Sequence, residues 1–118
     1  MHWVNKSGLK EELPRLLKNR VYAGISAGSM IVSHVDPASG SKLLYGEPDA
    51  SDVKGLGYIN FNIFPHLNSP YFPNLKDSNI KLAAKKLNSN VYALDDNSAL
   101  SYVDGKIKII SEGVWKKY

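Results

Sequence analysis

The five residues Gly24-Ile25-Ser26-Ala27-Gly28 constrain this chain more than any other stretch. They follow the apolar run Val21-Tyr22-Ala23 and precede the helix-compatible run Ser29-Met30-Ile31-Val32. A Gly-x-Ser-x-Gly pattern between strand and helix demands a turn so tight that only small residues flank the serine, whose hydroxyl then stands at the C-terminal edge of a sheet. In such a nucleophile elbow the N–H after the serine, here that of Ala27, points to where an oxyanion would form, near the positive end of the next helix. A purely structural glycine-rich turn is the alternative, because Gly, Ala and Ser are common residues.

The flanking patterns place this turn in an α/β chain. Leu9, Leu13, Leu16 and Leu17 recur at helical spacing between Ser7 and Arg20, and Pro14 within that stretch predicts two short helical pieces or a kink. A buried strand is expected over 21–25, a helix over 27–34, and a long loop over 36–54, where Pro37, Gly40, Gly46 and Pro48 fall. Ile59 to Phe64 reads as a strand ended by Pro65, Asn74 to Leu87 as an amphipathic helix, and Val91 to Leu94 as a strand. Ala99 to Val103 and Lys106 to Ile110 flank Asp104-Gly105, a two-residue hairpin turn. Helix, strand, helix, strand, helix and hairpin in that order predict a largely parallel sheet with an antiparallel edge.

A length of 118 residues fits one domain spanning 1–118, and 43% hydrophobic with 22% charged residues is ordinary for a globular protein. No apolar stretch approaches the roughly 20 residues of a membrane span, and Met1-His2-Trp3-Val4-Asn5-Lys6 lacks a signal-peptide core. The absence of cysteine excludes disulfides, thiolate metal sites and a cysteine nucleophile, and makes a cytoplasmic location the default. No metal, cofactor or membrane partner is expected. The net charge of +4 is spread along the chain, and its densest cluster, Lys81, Lys85 and Lys86, falls on the amphipathic helix as a solvated face. No nucleic-acid partner is expected either.

A serine hydroxyl needs a base to take its proton before it attacks at neutral pH. Of three histidines, His2 lies at the terminus and His34 at the end of the helix after Ser26. His66 follows Phe64-Pro65 at the C-terminal end of an expected strand, the sheet edge on which Ser26 must also sit, so His66 is the candidate base.

Taken in order, Gly24-Ile25-Ser26-Ala27-Gly28-Ser29, Gly55-Leu56-Gly57-Tyr58-Ile59, Phe64-Pro65-His66, Asp96-Asn97-Ser98-Ala99-Leu100 and the Gly105 turn resemble the aspartyl dipeptidase (peptidase E) family of serine peptidases, relatives of the cyanophycinases. The resemblance implies a class-I glutamine-amidotransferase-like (flavodoxin-like) α/β fold. It implies Ser26 as nucleophile, His66 as base and hydrolysis of a short peptide, a dipeptide with an N-terminal aspartate, through an acyl-enzyme. It also puts the orienting carboxylate between serine and histidine, where Asp36, Glu47, Asp49 and Asp52 stand; Glu47, between Gly46 and Pro48, is the first choice and Asp49 the second.

Departures from the family pattern set the alternatives. Members carry an N-terminal block of strands and a glycine-rich turn that supplies a second oxyanion donor, and this chain is expected to start after it. The expected result is an exposed sheet edge, a homo-oligomer or a complementing N-terminal chain, with Ala27 as the one internal oxyanion donor. Both arginines, Arg15 and Arg20, precede Ser26, leaving Lys76 as a weaker partner for a substrate carboxylate. The alternative to a peptidase is therefore a catalytically inactive, truncated homologue serving as an interaction module, and a generic esterase is a third reading.

Overall fold

The computed structural model describes residues 1–36, 40–49 and 53–118; the side chains of Val35, Asp36 and Val53 are outside that description. In chain order the elements are α1 (His2–Lys6), α2 (Leu9–Leu16), α3 (Ala27–Met30), β1 (Val35–Asp36), a π-helical turn (Ser41–Tyr45) and β2 (Val53–Lys54). They continue with β3 (Asn62–Phe64), α4 (Asp77–Leu87), β4 (Val91–Leu94), β5 (Ser98–Val103), β6 (Lys106–Ser111) and β7 (Trp115–Lys117).

The centre is a three-stranded sheet in the order β3-β4-β7. Strands β3 and β4 run parallel, with α4 in the connection between them, while β7 returns antiparallel on the far side of β4. All four residues of β4 are buried, as a strand covered on both faces must be. Alternation then divides them: Val91 and Ala93 join Phe64 under α4, whereas Tyr92 and Leu94 join Val32, Ile59, Phe61 and Ile63 on the opposite face.

Helix α4 buries Ile80, Ala83 and Ala84, the spacing that makes one apolar stripe. Asp77 opens its first turn, Lys85 and Lys86 lie in its last, and Asn88 closes it at φ 49°. The Asp77 carboxylate accepts from Lys116 Nζ and Tyr118 Oη, which ties α4 to the end of β7. Those two hydrogen bonds hold the Asp77 carboxyl below its usual 3.8.

Beside this sheet stands the β5–β6 hairpin, paired from Ser98↔Ser111 to Val103↔Lys106. Asp104 at φ 49° and Gly105 at φ 76° make the two-residue turn that the sequence predicts.

Several expectations are corrected. Residues 21–25 form no strand, because nothing among the described residues pairs with them, and Val21 and Ile25 are 93% and 87% exposed. The helix expected over 27–34 stops at Met30, where the chain turns so that Ser33 can bridge to Ile59 in parallel. The strand expected over 59–64 forms its ladder only at Asn62–Phe64. At the N-terminus the helix breaks at Gly8, with φ 74°, while Pro14 is accommodated inside α2. The loop expected over 36–54 holds the end of β1, the π-helical turn and β2, and β7 is a further strand that the sequence pattern does not predict. The architecture is mixed α/β, with a sheet containing one parallel pair and a separate antiparallel hairpin, compatible with a flavodoxin-like arrangement. Among the described residues, no helix is long and apolar enough to cross a membrane.

Candidate active site

The Ser26 turn is shaped by the absence of a side chain at Gly24. A Cβ there would lie 2.5 Å from the Gly28 carbonyl oxygen, so any other residue would force the two ends of the motif apart. Gly28 N–H donates to Ile25 O and Ser29 N–H to Ser26 O, both at 2.9 Å. Ser29 Oγ adds a second donor to Ser26 O at 2.6 Å, and Tyr22 Oη donates to Gly28 O at 2.8 Å. Burial, helped by the nearby Tyr58, pushes the Tyr22 phenol up, which keeps it protonated as that donor. Ser26 itself sits at φ 52°, ψ −123°, a backbone region costing about 1–3 kcal/mol for a residue with a Cβ.

His66 and Asp96 reach Ser26 through strand register. Phe64 of β3 lies opposite Ala93 of the parallel β4, so the chains leaving both strands emerge side by side at the same sheet edge. Two residues beyond Phe64 is His66, and two beyond Leu94 is Asp96. His66 Nδ1 lies 2.6 Å from Asp96 Oδ1 and Nε2 lies 2.8 Å from Ser26 Oγ. An ionised carboxylate only accepts, so the proton of neutral His66 sits on Nδ1 and Nε2 is left to accept from the serine hydroxyl. The imidazole stacks on Phe72, with centroids 4.7 Å apart and planes at 19°. Tyr45 packs edge-on to that ring and donates its hydroxyl to Pro65 O at 3.3 Å.

The turn that carries Asp96 is held by its neighbour. Asp95 Oδ1 accepts from Asn97 N–H at 3.1 Å and Ser98 Oγ at 2.6 Å, and Oδ2 accepts from Val114 N–H. Burial pushes the Asp95 carboxyl up, but these hydrogen bonds outweigh it and leave it below the usual 3.8. A Cβ at Gly113 would run into the Asp95 carboxylate, so a side chain there must displace that carboxylate from its hydrogen bonds where the chain enters β7.

The structure thus brings Ser26 and His66 together and supplies a different carboxylate from the one expected. Glu47 follows the π-helical turn, exposed, with its N–H bonded to Ser41 O, and its carboxylate has no partner among the described residues. Asp49 is also exposed. Asp52 and the side chain of Asp36 lie outside the described residues. The physical reason is topological: position between Ser26 and His66 in sequence does not bring a loop to the imidazole, whereas the parallel β3–β4 pair does. The signal that sequence offered is limited to position: His66 and Asp96 each stand two residues past the end of an apolar run, and which carboxylate meets the imidazole is set by strand pairing.

Ala27 N–H has no acceptor among the described residues and remains open beside Ser26. The helix behind it is a single turn, so the oxyanion donor expected there is the N–H itself rather than a helix dipole. Around Ser26 and His66 lies a cleft of about 280 Å³. Lys81, Lys85 and Lys86 are exposed on α4. Among the described residues, no group of acidic or histidine side chains is arranged to hold a metal ion.

Comparison with curated proteins and with solved structures finds no match to this chain. The family model of Peptidase family S51 matches residues 1–110, which include Ser26, His66 and Asp96. The chain therefore belongs to peptidase family S51, a family of serine peptidases.

Proposed function

We propose that this protein is a serine peptidase that hydrolyses short peptides through an acyl-enzyme on Ser26. The observation that carries the reading is the hydrogen-bonded run Ser26 Oγ, His66 Nε2, His66 Nδ1, Asp96 Oδ1. In it, Ser26 Oγ attacks the scissile carbonyl carbon as its proton passes to His66 Nε2, and Asp96 stabilises the imidazolium. The carbonyl π-bond electrons move onto oxygen, where Ala27 N–H donates to the oxyanion. Collapse breaks the C–N bond, and His66 returns the proton to the departing amine. Water, deprotonated by His66, then attacks the ester and releases the acid, restoring the Ser26 hydroxyl.

The family resemblance supplies dipeptides with an N-terminal aspartate as the first substrates to try, and a class-I glutamine-amidotransferase-like fold as the frame. The cleft lends the aspartate no support, since its described lining holds Asp95 and Asp96 and no lysine or arginine. The assembled triad favours an active peptidase over an inactive interaction module. Labelling with a fluorophosphonate, which phosphonylates activated serines, tests this. The expected result is labelling of the native chain and none of Ser26→Ala or His66→Ala; a native chain that resists labelling overturns the reading.

A further inference from the structure

Beyond His66, the chain between β3 and α4 forms a loop that the chemistry above does not use. His66 stands at φ 69° and Asn68 at φ 61°, left-handed backbone that a residue with a Cβ keeps only where its surroundings enforce it. They do so here. Leu67 N–H donates to Leu94 O at 2.9 Å, Asn68 N–H to Leu75 O at 2.8 Å and Ser69 N–H to His66 O at 3.0 Å, while the Leu67 side chain is buried in the core under α4. The His66 backbone is therefore fixed, and its remaining freedom is that of the imidazole.

Hydrogen bonds to Asp96 Oδ1 and Ser26 Oγ hold two points of that ring. They leave a tilt about the line joining the two nitrogens, which hydrogen bonds tolerate over about 30°. Phe72 opposes the tilt, because its ring lies against the imidazole face with centroids 4.7 Å apart and planes at 19°. Phe72 is itself held. Pro70 and Pro73 restrict the backbone on either side of it, its N–H donates to Ser69 O at 3.2 Å, and its carbonyl accepts from Leu75 N–H at 2.9 Å. The adjacent Tyr71 is exposed, so of two neighbouring aromatic side chains one turns to the imidazole and the other to solvent. Tyr45 closes the arrangement: its ring meets Phe72 edge-on at 5.8 Å, and its hydroxyl donates to Pro65 O, the carbonyl of the peptide that leads into His66.

Building on the serine-peptidase reading, we infer that Phe72 is a positioning residue for the general base, holding the plane of the His66 imidazole so that Nε2 faces Ser26 Oγ. Its contribution grows during the reaction. The face of an aromatic ring attracts positive charge, so the stack strengthens as His66 takes the serine proton. Support that increases toward the transition state raises the rate of attack rather than the affinity for substrate. An aliphatic side chain of similar size fills the same space but offers neither a flat face nor that attraction.

The test is the rate of fluorophosphonate labelling at Ser26 on the full chain, resolved into kinact and KI, which reads the attack of the serine directly. Phe72→Leu should lower kinact at least about tenfold and leave KI within about twofold. At least one of Phe72→Tyr and Phe72→Trp, which keep a flat aromatic face, should retain kinact within about threefold. Circular dichroism checks that each variant is folded, and Phe72→Met takes the place of a leucine variant that is not. Proton NMR of the native chain reads the stack without any substitution: the His66 ring protons should lie upfield of their positions in the denatured chain. A folded aliphatic variant with native kinact, equal losses in the aliphatic and both aromatic variants, or native His66 ring protons without an upfield shift overturns the inference and leaves the serine-peptidase reading standing. A native chain that resists labelling overturns the underlying reading, and the inference with it.

Discussion

The two halves of the triad rest on unlike foundations. His66 and Asp96 leave the ends of β3 and β4, whose Phe64, Val91 and Ala93 are within 1% of complete burial, and Asp95 fastens their edge to the chain entering β7. Ser26 follows a run with no ladder among the described residues, and Val21 and Ile25 of that run are almost wholly in solvent. Base and carboxylate are thus held by long-range packing. The serine is held by local turn chemistry: Gly24 against Gly28, four hydrogen bonds and a strained φ. Two different kinds of substitution should therefore damage the site, one through its chemistry and the other through its support.

The largest effect should come from the carboxylate that register selected. Asp96→Asn leaves the packing intact but replaces the charged acceptor with an amide whose N–H can face His66 Nδ1 and select the wrong tautomer, and should lower kcat about 10³- to 10⁴-fold. Glu47→Gln should change it by less than about twofold, because that side chain is exposed and is not among the described residues lining the cleft. Steady-state kinetics on any cleaved peptide separates them; equal losses from both would break the assignment of Asp96.

Next in size is the difference in support. Phe64→Ala, under α4, should cost about 3–5 kcal/mol in a urea titration. Ile25→Ala, next to the serine but exposed, should fall within about 0.5 kcal/mol. Comparable values would mean that the Ser26 run packs against something in solution.

The smallest expected effects concern the Asp95 fastening. Gly113→Ala drives a methyl group into the carboxylate and should cost about 1–3 kcal/mol. The pH dependence has the same origin. A carboxyl held below its ordinary value stabilises the fold above pH 3.8, and that contribution is lost as pH falls through the lower, folded-state value. Thermal melts should therefore drop less below pH 4 in Asp95→Asn than in the native chain; parallel curves would remove Asp95 from the account.

By itself the sequence determined the local features. The small residues of the Ser26 turn, the Asp104-Gly105 hairpin, the α4 stripe and β4 as a continuous apolar strand depend on residues within a few positions of one another, and each was legible as pattern. His66 was legible too, because Pro65 marks the end of its strand. What only the tertiary structure decided depends on partners far away in the chain. The run 21–25 has strand composition but no ladder among the described residues, since a strand exists only where another pairs with it. Strand β7 has a sequence that announces nothing, and forms because the edge of β4 offers hydrogen bonds and Asp95 holds the chain that enters it. The carboxylate followed the same rule: Glu47 stood in the expected interval, but the parallel register of Phe64 against Ala93 carried Asp96 to the imidazole, and register is a property of the folded sheet rather than of any stretch of sequence.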